Sequence, residues 1–308
     1  MRKFGGIMAN RKKTGIFILS LLLCVVLAAC SLLPSGTASN KGPARTDGRL
    51  QIYYLDVGQA DCELIRFPDG KNALIDAGKT NTAEELVEYL QDMGVERIDY
   101  LIATHPHEDH IGGMAEVVKN LDIGKIYMPR VADSQTPTTK CYERLLEAIS
   151  DKGLKMTAAK GGMNITEGQG LSFDILSPNR EKYEDLNNYS VVTRLTYGEH
   201  SFLFEGDAES QVEKELLSSG TDVQADVLKC GHHGSNTSNT AAYLKAVRPV
   251  YAVISCGEDN DYGHPHQEVF QRLKKAGIEI FRTDQQGTVL AESDGMELTM
   301  QSGLASVK

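Results

Sequence analysis

Two hydrophobic patterns alternate along the chain from about residue 50. Short runs rich in β-branched and aromatic residues predict strands, and longer segments with apolar residues every three or four positions predict amphipathic helices. The first pattern predicts strands at 51–57, 62–67, 72–76, 98–103, 125–128, 171–176, 191–197, 202–205, 226–229, 250–255 and 279–281. The second predicts helices at 83–93, 113–121, 138–151, 210–218, 239–247 and 267–276.

The order of these elements argues against a purely parallel sheet. The first three strands follow one another without a helix between them, and residues 197–201 have the composition of a hairpin turn. Residues 131–139 and 160–169 are polar and contain Gly or Pro, so we expect surface loops there. The fold class is therefore α/β, with mixed sheets that carry helices on their outer faces.

The amino terminus has the pattern of an export signal. Basic residues extend to Lys13, and residues 16–29 are apolar except for Ser20. This run is shorter than the roughly 20 residues of a membrane-spanning helix and suits a signal peptide. Residues 27–30 read Leu-Ala-Ala-Cys and resemble the bacterial lipoprotein box, which implies cleavage before Cys30 and lipid attachment to its thiol. The alternative is an uncleaved membrane anchor, and both interpretations put the folded part outside the cytoplasm.

The sequence thus predicts three segments in an exported protein that is lipid-anchored to the bacterial membrane. Residues 1–29 are the lipoprotein signal peptide, residues 30–49 are the lipidated Cys30 and a flexible tether, and residues 50–308 are the folded domain. The tether is rich in Ser, Gly, Pro and Thr. The domain's four cysteines have spacings that indicate no disulfide framework, so we expect buried apolar residues and leave pairing open: Cys62, Cys141, Cys230 and Cys256.

The charge of the chain narrows its possible partners. The formal net charge is −10, and the first 29 residues carry five basic and no acidic side chains, so the remainder stands five units lower, at −15. A domain this acidic does not bind nucleic acid non-specifically over its whole surface, although a local basic groove remains possible. The chain contains neither a Gly-x-Ser-x-Gly nucleophile elbow nor a phosphate-binding Gly-x-x-x-x-Gly-Lys loop.

Histidine is strongly clustered. Seven of the eight histidines fall in three short segments, and the first of these, residues 104–113, reads Thr-His-Pro-His-Glu-Asp-His-Ile-Gly-Gly. Because side chains two positions apart project to the same side of an extended chain, His105 and His107 can share one cation. Asp109 and His110 can face a neighbouring cation, and imidazole with carboxylate suits hard-to-borderline divalent cations. We expect the two closing glycines to let the backbone approach these metals.

The other two histidine segments also follow predicted strands. His232 and His233 are adjacent, and on an extended chain adjacent side chains diverge, so we expect one to bind metal and the other to touch substrate. His264 and His266 precede the predicted helix 267–276, and His266 is interpreted as a helix-start residue.

The first segment resembles a known signature. His105-x-His107-x-Asp109-His110 is similar to the motif of the metallo-β-lactamase superfamily, which implies a four-layer αββα sandwich with two mixed β-sheets and a dinuclear metal site at one edge. Over residues 50–292 the chain resembles the metallo-β-lactamase domain of the ComEC competence-protein family and its stand-alone relatives, with Ala60 where the family usually has Gly. It shows no polytopic channel segment, so DNA transport is not implied. The segments that carry this resemblance are Asp56-Val-Gly-Gln-Ala-Asp61, Leu74-Ile-Asp76-Ala-Gly78, Asn187-Asn188-Tyr-Ser190-Val-Val, Leu203-Phe-Glu-Gly206-Asp207, Leu228-Lys-Cys-Gly-His232-His233-Gly-Ser235 and Gly263-His264-Pro265.

The resemblance implies a set of metal ligands. His105 and His107 would hold the first of two divalent ions, Asp109 and His110 would hold the second, and the carboxylate of Asp207 would bridge them. Many family members have a third histidine at the first ion, where this chain offers Asn187 or Asn188. An oxygen ligand there weakens the case for zinc and strengthens that for manganese. Capping of the helix at 210–218 is the other interpretation of Asp207.

The resemblance also implies supporting roles. Asp109 and His264 are the candidate catalytic residues, with His264 placed to donate a proton to a leaving group. Asp76 would orient a ligand from outside the metal sphere, and Asp56 and Asp61 are open between that role and ordinary structural ones. Ser235 could bind a phosphoryl oxygen or cap the helix that follows, and Cys230 is interpreted as buried packing.

These inferences predict a metal-dependent hydrolase that uses a water activated by two metal ions. The favoured activity is a phosphodiesterase or nuclease that acts on a phosphodiester such as single-stranded DNA. The alternatives are an amide or ester hydrolase such as a β-lactamase, and a non-catalytic lipoprotein that binds metal or DNA.

Overall fold

The computed structural model describes residues 48–307. The predicted signal peptide, Cys30 and most of the tether lie outside the described residues. None of the helices in residues 48–307 combines the length and apolar character that crossing a bilayer requires. The four cysteines of the domain are buried and form no disulfide with one another, in agreement with their interpretation as apolar core residues.

The strands form two mixed sheets. The first sheet has the order β15-β14-β1-β2-β3-β4-β5-β6, and the second has the order β13-β12-β11-β10-β9-β8-β7. Strands β3 to β6 are parallel to one another, strands β10 to β13 are parallel to one another, and the remaining adjacent pairs are antiparallel. The strands are β1 Leu50–Tyr54, β2 Glu63–Arg66, β3 Asn72–Ile75, β4 Arg97–Ile102, β5 Asp122–Pro129, β6 Met156–Ala159, β7 Met163–Gly168, β8 Leu171–Ile175, β9 Thr193–Tyr197, β10 His200–Phe204, β11 Val227–Lys229, β12 Tyr251–Ile254, β13 Glu279–Arg282, β14 Thr288–Ser293 and β15 Leu298–Leu304.

The helices lie outside the sheets. Each of the long ones buries an apolar face and exposes charged residues, as its sequence periodicity predicts. The helices are α1 Ala83–Asp92, α2 Glu108–Ile111, α3 Met114–Asn120, α4 Lys140–Asp151, α5 Ser210–Ser219, α6 Ala241–Val247, α7 Gln267–Lys275 and α8 Thr283–Gln286. Short 3₁₀ turns are present at Thr80–Thr82, Asp133–Gln135, Leu186–Tyr189 and Gly231–Gly234.

Three hydrophobic cores separate the layers. One core packs α1, α3 and α4 against the first sheet, and another packs α5, α6 and α7 against the second. The third lies between the two sheets and contains large residues such as Tyr54, Phe173 and Phe204. Alternate strand side chains point to opposite faces, so each sheet contributes to two cores. This arrangement confirms the predicted four-layer αββα sandwich with two mixed sheets.

The sequence pattern missed four strands and misplaced one loop. Residues 160–169 contain β7, which pairs with β8, and only Ile165 of β7 is buried. Strands β6, β7 and β15 lie at sheet edges and carry many polar residues. Strand β14 is buried and pairs with β1 from the far end of the domain. Edge strands need not bury both faces, so their sequences lack the hydrophobic signal on which the prediction relied.

Candidate metal centre

The histidine- and aspartate-bearing loops meet where the two sheets present the carboxyl ends of their parallel strands. Strand β4 leads into His105, β10 into Asp207, and β11 into His232 and His233. Strands β10 and β11 are parallel neighbours, so their following loops emerge side by side. The amide of Asp207 donates to Ser190 Oγ at 3.0 Å, which fixes the loop after β10.

Asp207 lies at the centre of the cluster, with only 3% of its side chain exposed. Its Oδ2 atom lies 3.7 Å from Nε2 of His105 and 3.6 Å from Nε2 of His232. Its Oδ1 atom lies 3.3 Å from Nε2 of His110 and 3.7 Å from Nε2 of His233. Each carboxylate oxygen therefore faces its own pair of imidazoles.

Two further side chains complete these sets. Nδ1 of His107 lies 3.0 Å from Nε2 of His105. Oδ2 of Asp109 lies 3.4 Å from Nε2 of His233 and 4.0 Å from Nε2 of His110. We call the set around Oδ2 of Asp207 the first ligand group and the set around its Oδ1 the second ligand group. The first contains His105, His107 and His232, and the second contains Asp109, His110 and His233.

Hydrogen bonds hold the imidazoles of the second ligand group in one orientation. Nδ1 of His110 donates to Oδ2 of Asp76 at 2.7 Å. Nδ1 of His233 donates to the carbonyl oxygen of Ser255 at 3.0 Å. Because Nδ1 of each ring is engaged in this way, Nε2 is directed at Asp207 and is the nitrogen that can bind a cation once it has lost its proton.

The donor atoms of the second ligand group lack other partners. Among the described residues, Nε2 of His110, Nε2 of His233 and Oδ1 of Asp207 are buried without a hydrogen bond. Burying such atoms unpaired costs about 1–3 kcal/mol each. A divalent cation would satisfy all three, since imidazole nitrogen and carboxylate oxygen are its usual ligands. The residues present therefore fit a bound metal.

His232 and His233 occupy an unusual backbone turn. Both have φ of 52°, in the left-handed region that residues other than glycine rarely adopt. The expectation that their side chains diverge assumed an extended chain. Because the chain turns here, both Nε2 atoms face Asp207, one at each oxygen. The structure thus brings both histidines to the metal centre.

The two asparagines have different surroundings. Asn188 is engaged with Glu209, donating to its Oε2 at 3.3 Å and accepting from its amide at 3.2 Å. Asn187 lines the cavity over the metal centre, and its Oδ1 is buried without a hydrogen bond to any residue in the part of the chain that the structure describes. Of the two, Asn187 is therefore the one whose oxygen is available to a cation or substrate.

The predicted supporting aspartates Asp76 and Asp56 also make different contacts. Asp76 accepts from His110 and from the amide and hydroxyl of Thr104, at 2.8 and 2.6 Å, and so orients a predicted ligand. The carboxylate of Asp56 instead accepts from the amide of Gly58 at 3.2 Å and from the hydroxyl of Ser306 at 2.5 Å. Asp56 thus ties a loop to the carboxyl-terminal segment.

Ser235 supports the loop after the two histidines. Its hydroxyl accepts from the hydroxyl of Thr237 at 3.1 Å, and Thr237 Oγ1 lies 3.0 Å from Nδ1 of His232. The cap of α6 is Thr240, which accepts from the amide of Tyr243. His266 immediately precedes α7, as its interpretation as a helix-start residue predicts.

Gly112 and Gly113 serve a different contact from the one we expected. A Cβ atom on Gly112 would lie 2.4 Å from the carbonyl oxygen of Glu108 and from the amide of Thr80, and one on Gly113 would lie 2.2 Å from the carbonyl oxygen of Ala77. These glycines let the segment pack against the neighbouring backbone rather than approach the metals.

A cavity of about 500 Å³ opens over the ligand groups. His264 lines it, with its ring 5.6 Å from that of His232 and 5.5 Å from that of Tyr262. Gln59 Nε2 lies 3.3 Å from Nδ1 of His264. Burial, together with the neighbouring His233 and His232, lowers the pKa of His264 to about 4. The imidazole is therefore neutral at pH 7 and can contribute a neutral N–H group.

Burial and nearby charged side chains shift the pKa values of the other histidines and of Asp207. Burial and the nearby His110 lower the pKa of His105 well below its usual range. Although burial opposes it, Asp207 and neighbouring acids raise the pKa of His110 well above its usual range and that of His233 to about 10. Burial would raise the pKa of Asp207, but His110 and His233 hold it well below its usual range. Asp207 is thus ionised at neutral pH.

Lys229 beneath the centre does not stand out in the sequence. Its side chain is 1% exposed, and its ammonium donates to Oδ2 of Asp61 at 2.7 Å and lies 4.0 Å from Oε1 of Glu63. Oδ1 of Asp61 lies 3.2 Å from Nδ1 of His233. The available signal was a lysine inside an apolar strand, since lysine is almost never fully buried unless it is paired.

Known proteins resemble this chain in sequence. The model of the metallo-beta-lactamase superfamily matches residues 55–258. ComE operon protein 3 of Bacillus subtilis is 31% identical over 256 residues, which are 78% of this chain and 32% of that protein. Recombination protein 2 of Haemophilus influenzae is 34% identical over 244 residues, 78% of this chain and 28% of that protein. The chain spans about a third of the length of these relatives.

Solved structures share the fold at low sequence identity. The metallo hydrolase Igni18 of Ignicoccus hospitalis superposes with a TM-score of 0.51 at 17% identity, covering 79% of this chain and 98% of that one. The diiron β-hydroxylase CmlA of Streptomyces venezuelae superposes with a TM-score of 0.51 at 14% identity, covering 78% of this chain and 53% of that one. With the sandwich fold, the clustered ligands and the matching family model together, the chain belongs to the metallo-β-lactamase superfamily and is similar to the corresponding domain of ComEC-type competence proteins.

Proposed function

We propose that this chain is a metal-dependent phosphodiesterase. The observation that carries the proposal is the position of Asp207, whose two oxygens face two separate sets of imidazoles. Such an arrangement suits two divalent cations that share one carboxylate. One relative, Recombination protein 2, is named for recombination, which favours a phosphodiester such as DNA as the substrate.

The first and second ligand groups would each hold one divalent ion, zinc or manganese. When bound, two such ions supply an activated water and stabilise negative charge on the reacting phosphoryl group. The chain's own contribution is orientation. Asp76 and the Ser255 carbonyl fix the orientation of the imidazoles of His110 and His233. The ionised Asp207 lies between the two ligand groups and directs one oxygen at each.

The cavity walls would orient the substrate. His264 is neutral at pH 7 and can donate its N–H to a substrate oxygen, while Gln59 holds the other ring nitrogen. Asn187 presents an unpaired amide oxygen, and Lys79 lines the same cavity with a cationic side chain that can attract a phosphate. Tyr262 is 64% exposed at this cavity and offers an aromatic face to a substrate.

The test is a parallel assay of the purified protein loaded with manganese or zinc. We expect turnover of bis(4-nitrophenyl) phosphate and of a single-stranded oligonucleotide, and none of the β-lactam nitrocefin. Asp207→Asn should abolish turnover. Asp226→Asn is the matched control. Asp226 accepts a hydrogen bond from the amide of Ser201 near the start of β10, whereas Asp207 follows the end of that strand, so the Asp226 variant should retain activity.

Turnover of nitrocefin alone would instead indicate an amide hydrolase. Tight metal uptake without turnover of any of the three substrates would indicate a binding protein.

A further inference from the structure

A second groove is lined by cationic side chains and by two chain segments that continue to the metal cavity. It has a volume of about 650 Å³. Four basic residues line it, Arg130, Lys160, Arg180 and Lys182, together with the acidic Asp133 and Glu181. This excess of positive charge stands out in a chain whose formal net charge is −10.

Three of the four basic side chains in the groove are available to bind a ligand. Arg180 is paired with Glu215 at 2.7 Å. Arg130, Lys160 and Lys182 are exposed and form no ion pair with another described residue. Exposed, unpaired cations that converge on one groove attract an extended polyanion more than an isolated anion.

Two chain segments connect this groove to the metal cavity. Residues 130–134 line the groove, and Pro137 and Thr139 of the same segment line the cavity. Residues 178–182 line the groove, and Asn187 further along lines the cavity. Pro137 is three positions after Ser134, a reach of at most about 11 Å. A strand with about 3.4 Å between stacked nucleotides covers that distance in about three nucleotides.

The wall between groove and cavity is held by hydrogen bonds. The Tyr189 hydroxyl accepts from the amide of Ala132 at 3.3 Å and from the amide of Tyr183 at 3.2 Å. The same hydroxyl donates to Oε1 of Gln135 at 2.9 Å, and Gln135 donates to the carbonyl of Glu184 at 3.0 Å. The two segments are thus tied together, so the groove is formed before a ligand arrives.

We propose that this groove binds the phosphodiester backbone of a polymeric substrate whose scissile linkage lies at the metal centre. The proposal rests on the proposed function and narrows its substrate class from any phosphodiester to a polymeric one. The described residues that line the groove include no aromatic side chain, so bases have no stacking surface there. Recognition in the groove is therefore of the backbone and independent of base sequence.

The test removes three charges at once. In the variant Arg130→Gln, Lys160→Gln, Lys182→Gln, we measure binding of a fluorescent, cleavage-resistant phosphorothioate dT20 to the metal-loaded protein by anisotropy over a range of salt concentrations. Each lost contact reduces the magnitude of the negative slope of log K against log salt by about 0.7, so that magnitude should fall by about 2. If the variant and the unsubstituted protein bind equally at 1 M salt, this difference in slope makes binding by the variant roughly a hundredfold weaker at 0.1 M salt.

A matched control carries the same three losses elsewhere. Lys245, Arg248 and Lys275 line a different groove, at the ends of α6 and α7 remote from the histidines that precede these helices. Their triple substitution to Gln should change binding by less than about twofold. An equal effect of both triple variants would mean that net charge alone matters, and it would overturn the proposal. So would an unchanged salt slope in the groove variant.

Two further measurements separate this proposal from the proposed function. Bis(4-nitrophenyl) phosphate reaches only the metal cavity, so its turnover by the groove variant should stay within twofold of the unsubstituted protein. If the unsubstituted protein hydrolyses no phosphodiester, the proposed function fails, while the dT20 binding data still decide the groove. A base-free poly(glycerol phosphate) of similar length should compete with dT20, and its failure to compete would overturn recognition of the backbone.

Discussion

Replacing Lys229 with methionine tests the buried charge pair beneath the metal centre. Lys229 and Asp61 are each 1% exposed and lie 2.7 Å apart, so neither charge can be solvated if the other is lost. Burial and the nearby Asp61 raise the pKa of Glu63 well above its usual value, which leaves Asp61 as the principal counter-ion. Removing one partner of such a pair costs about 3–5 kcal/mol.

We expect Lys229→Met to lower the free energy of unfolding by that amount. For a domain of this size, about 2–4 °C of melting temperature is lost per kcal/mol, so the midpoint should fall by roughly 10 °C. The assay is urea and thermal unfolding in the presence of a chelator, because bound metal would add its own stabilisation. Lys71→Met is the matched control: Lys71 and its partner Asp69 are 45% and 40% exposed, so its loss should cost no more than about 1 kcal/mol.

The double variant Lys229→Met, Asp61→Asn separates the ion pair from simple packing. With both charges gone, no unpaired charge stays buried, so the double variant should be more stable than Lys229→Met alone. Although burial opposes it, Lys229 and then His233 hold the pKa of Asp61 at about 2, below the usual 3.8. The stability that ionised Asp61 provides is therefore complete above about pH 4 and is lost as the pH falls towards 2. A loss under 1 kcal/mol in Lys229→Met, or strictly additive single effects, would refute this reasoning.

Three other predictions concern the metals. First, metal uptake at pH 7 should release at least two protons, because the pKa values of His110 and His233 are raised far enough to protonate both in the metal-free protein and that of His232 is raised as well; calorimetry in buffers of different ionisation enthalpy measures this number, and release of none would contradict it. Second, Asp207→Asn should weaken uptake of both ions at least tenfold in competition with a chromophoric chelator, since both ligand groups share that carboxylate. Third, Asn187→His should strengthen zinc binding at least tenfold and Asn188→His should not, because Asn188 is engaged with Glu209; equal effects would count against Asn187 facing the metals.

Much of the fold could be predicted from the chain alone. The alternation of apolar and polar residues gave most strands and helices, because burial on one face leaves a period of two or 3.6 residues in the sequence. The hairpin at residues 197–201 was also predicted, and it is present between β9 and β10 with Gly198 at φ of 57°. Edge strands such as β6 and β7 were missed because they bury little and carry no comparable pattern.

The sequence by itself determined which residues carry the chemistry, since imidazoles and carboxylates were clustered in a few short segments after predicted strands. Only the tertiary structure decided which of these side chains face one another and what each one contacts. It turned both His232 and His233 towards Asp207, separated Asn187 from Asn188, and placed Lys229 against Asp61. These relations join residues far apart in the chain, and they depend on which loops the two sheets bring to one edge. Periodicity records which face of an element is buried, but it does not record what that face meets.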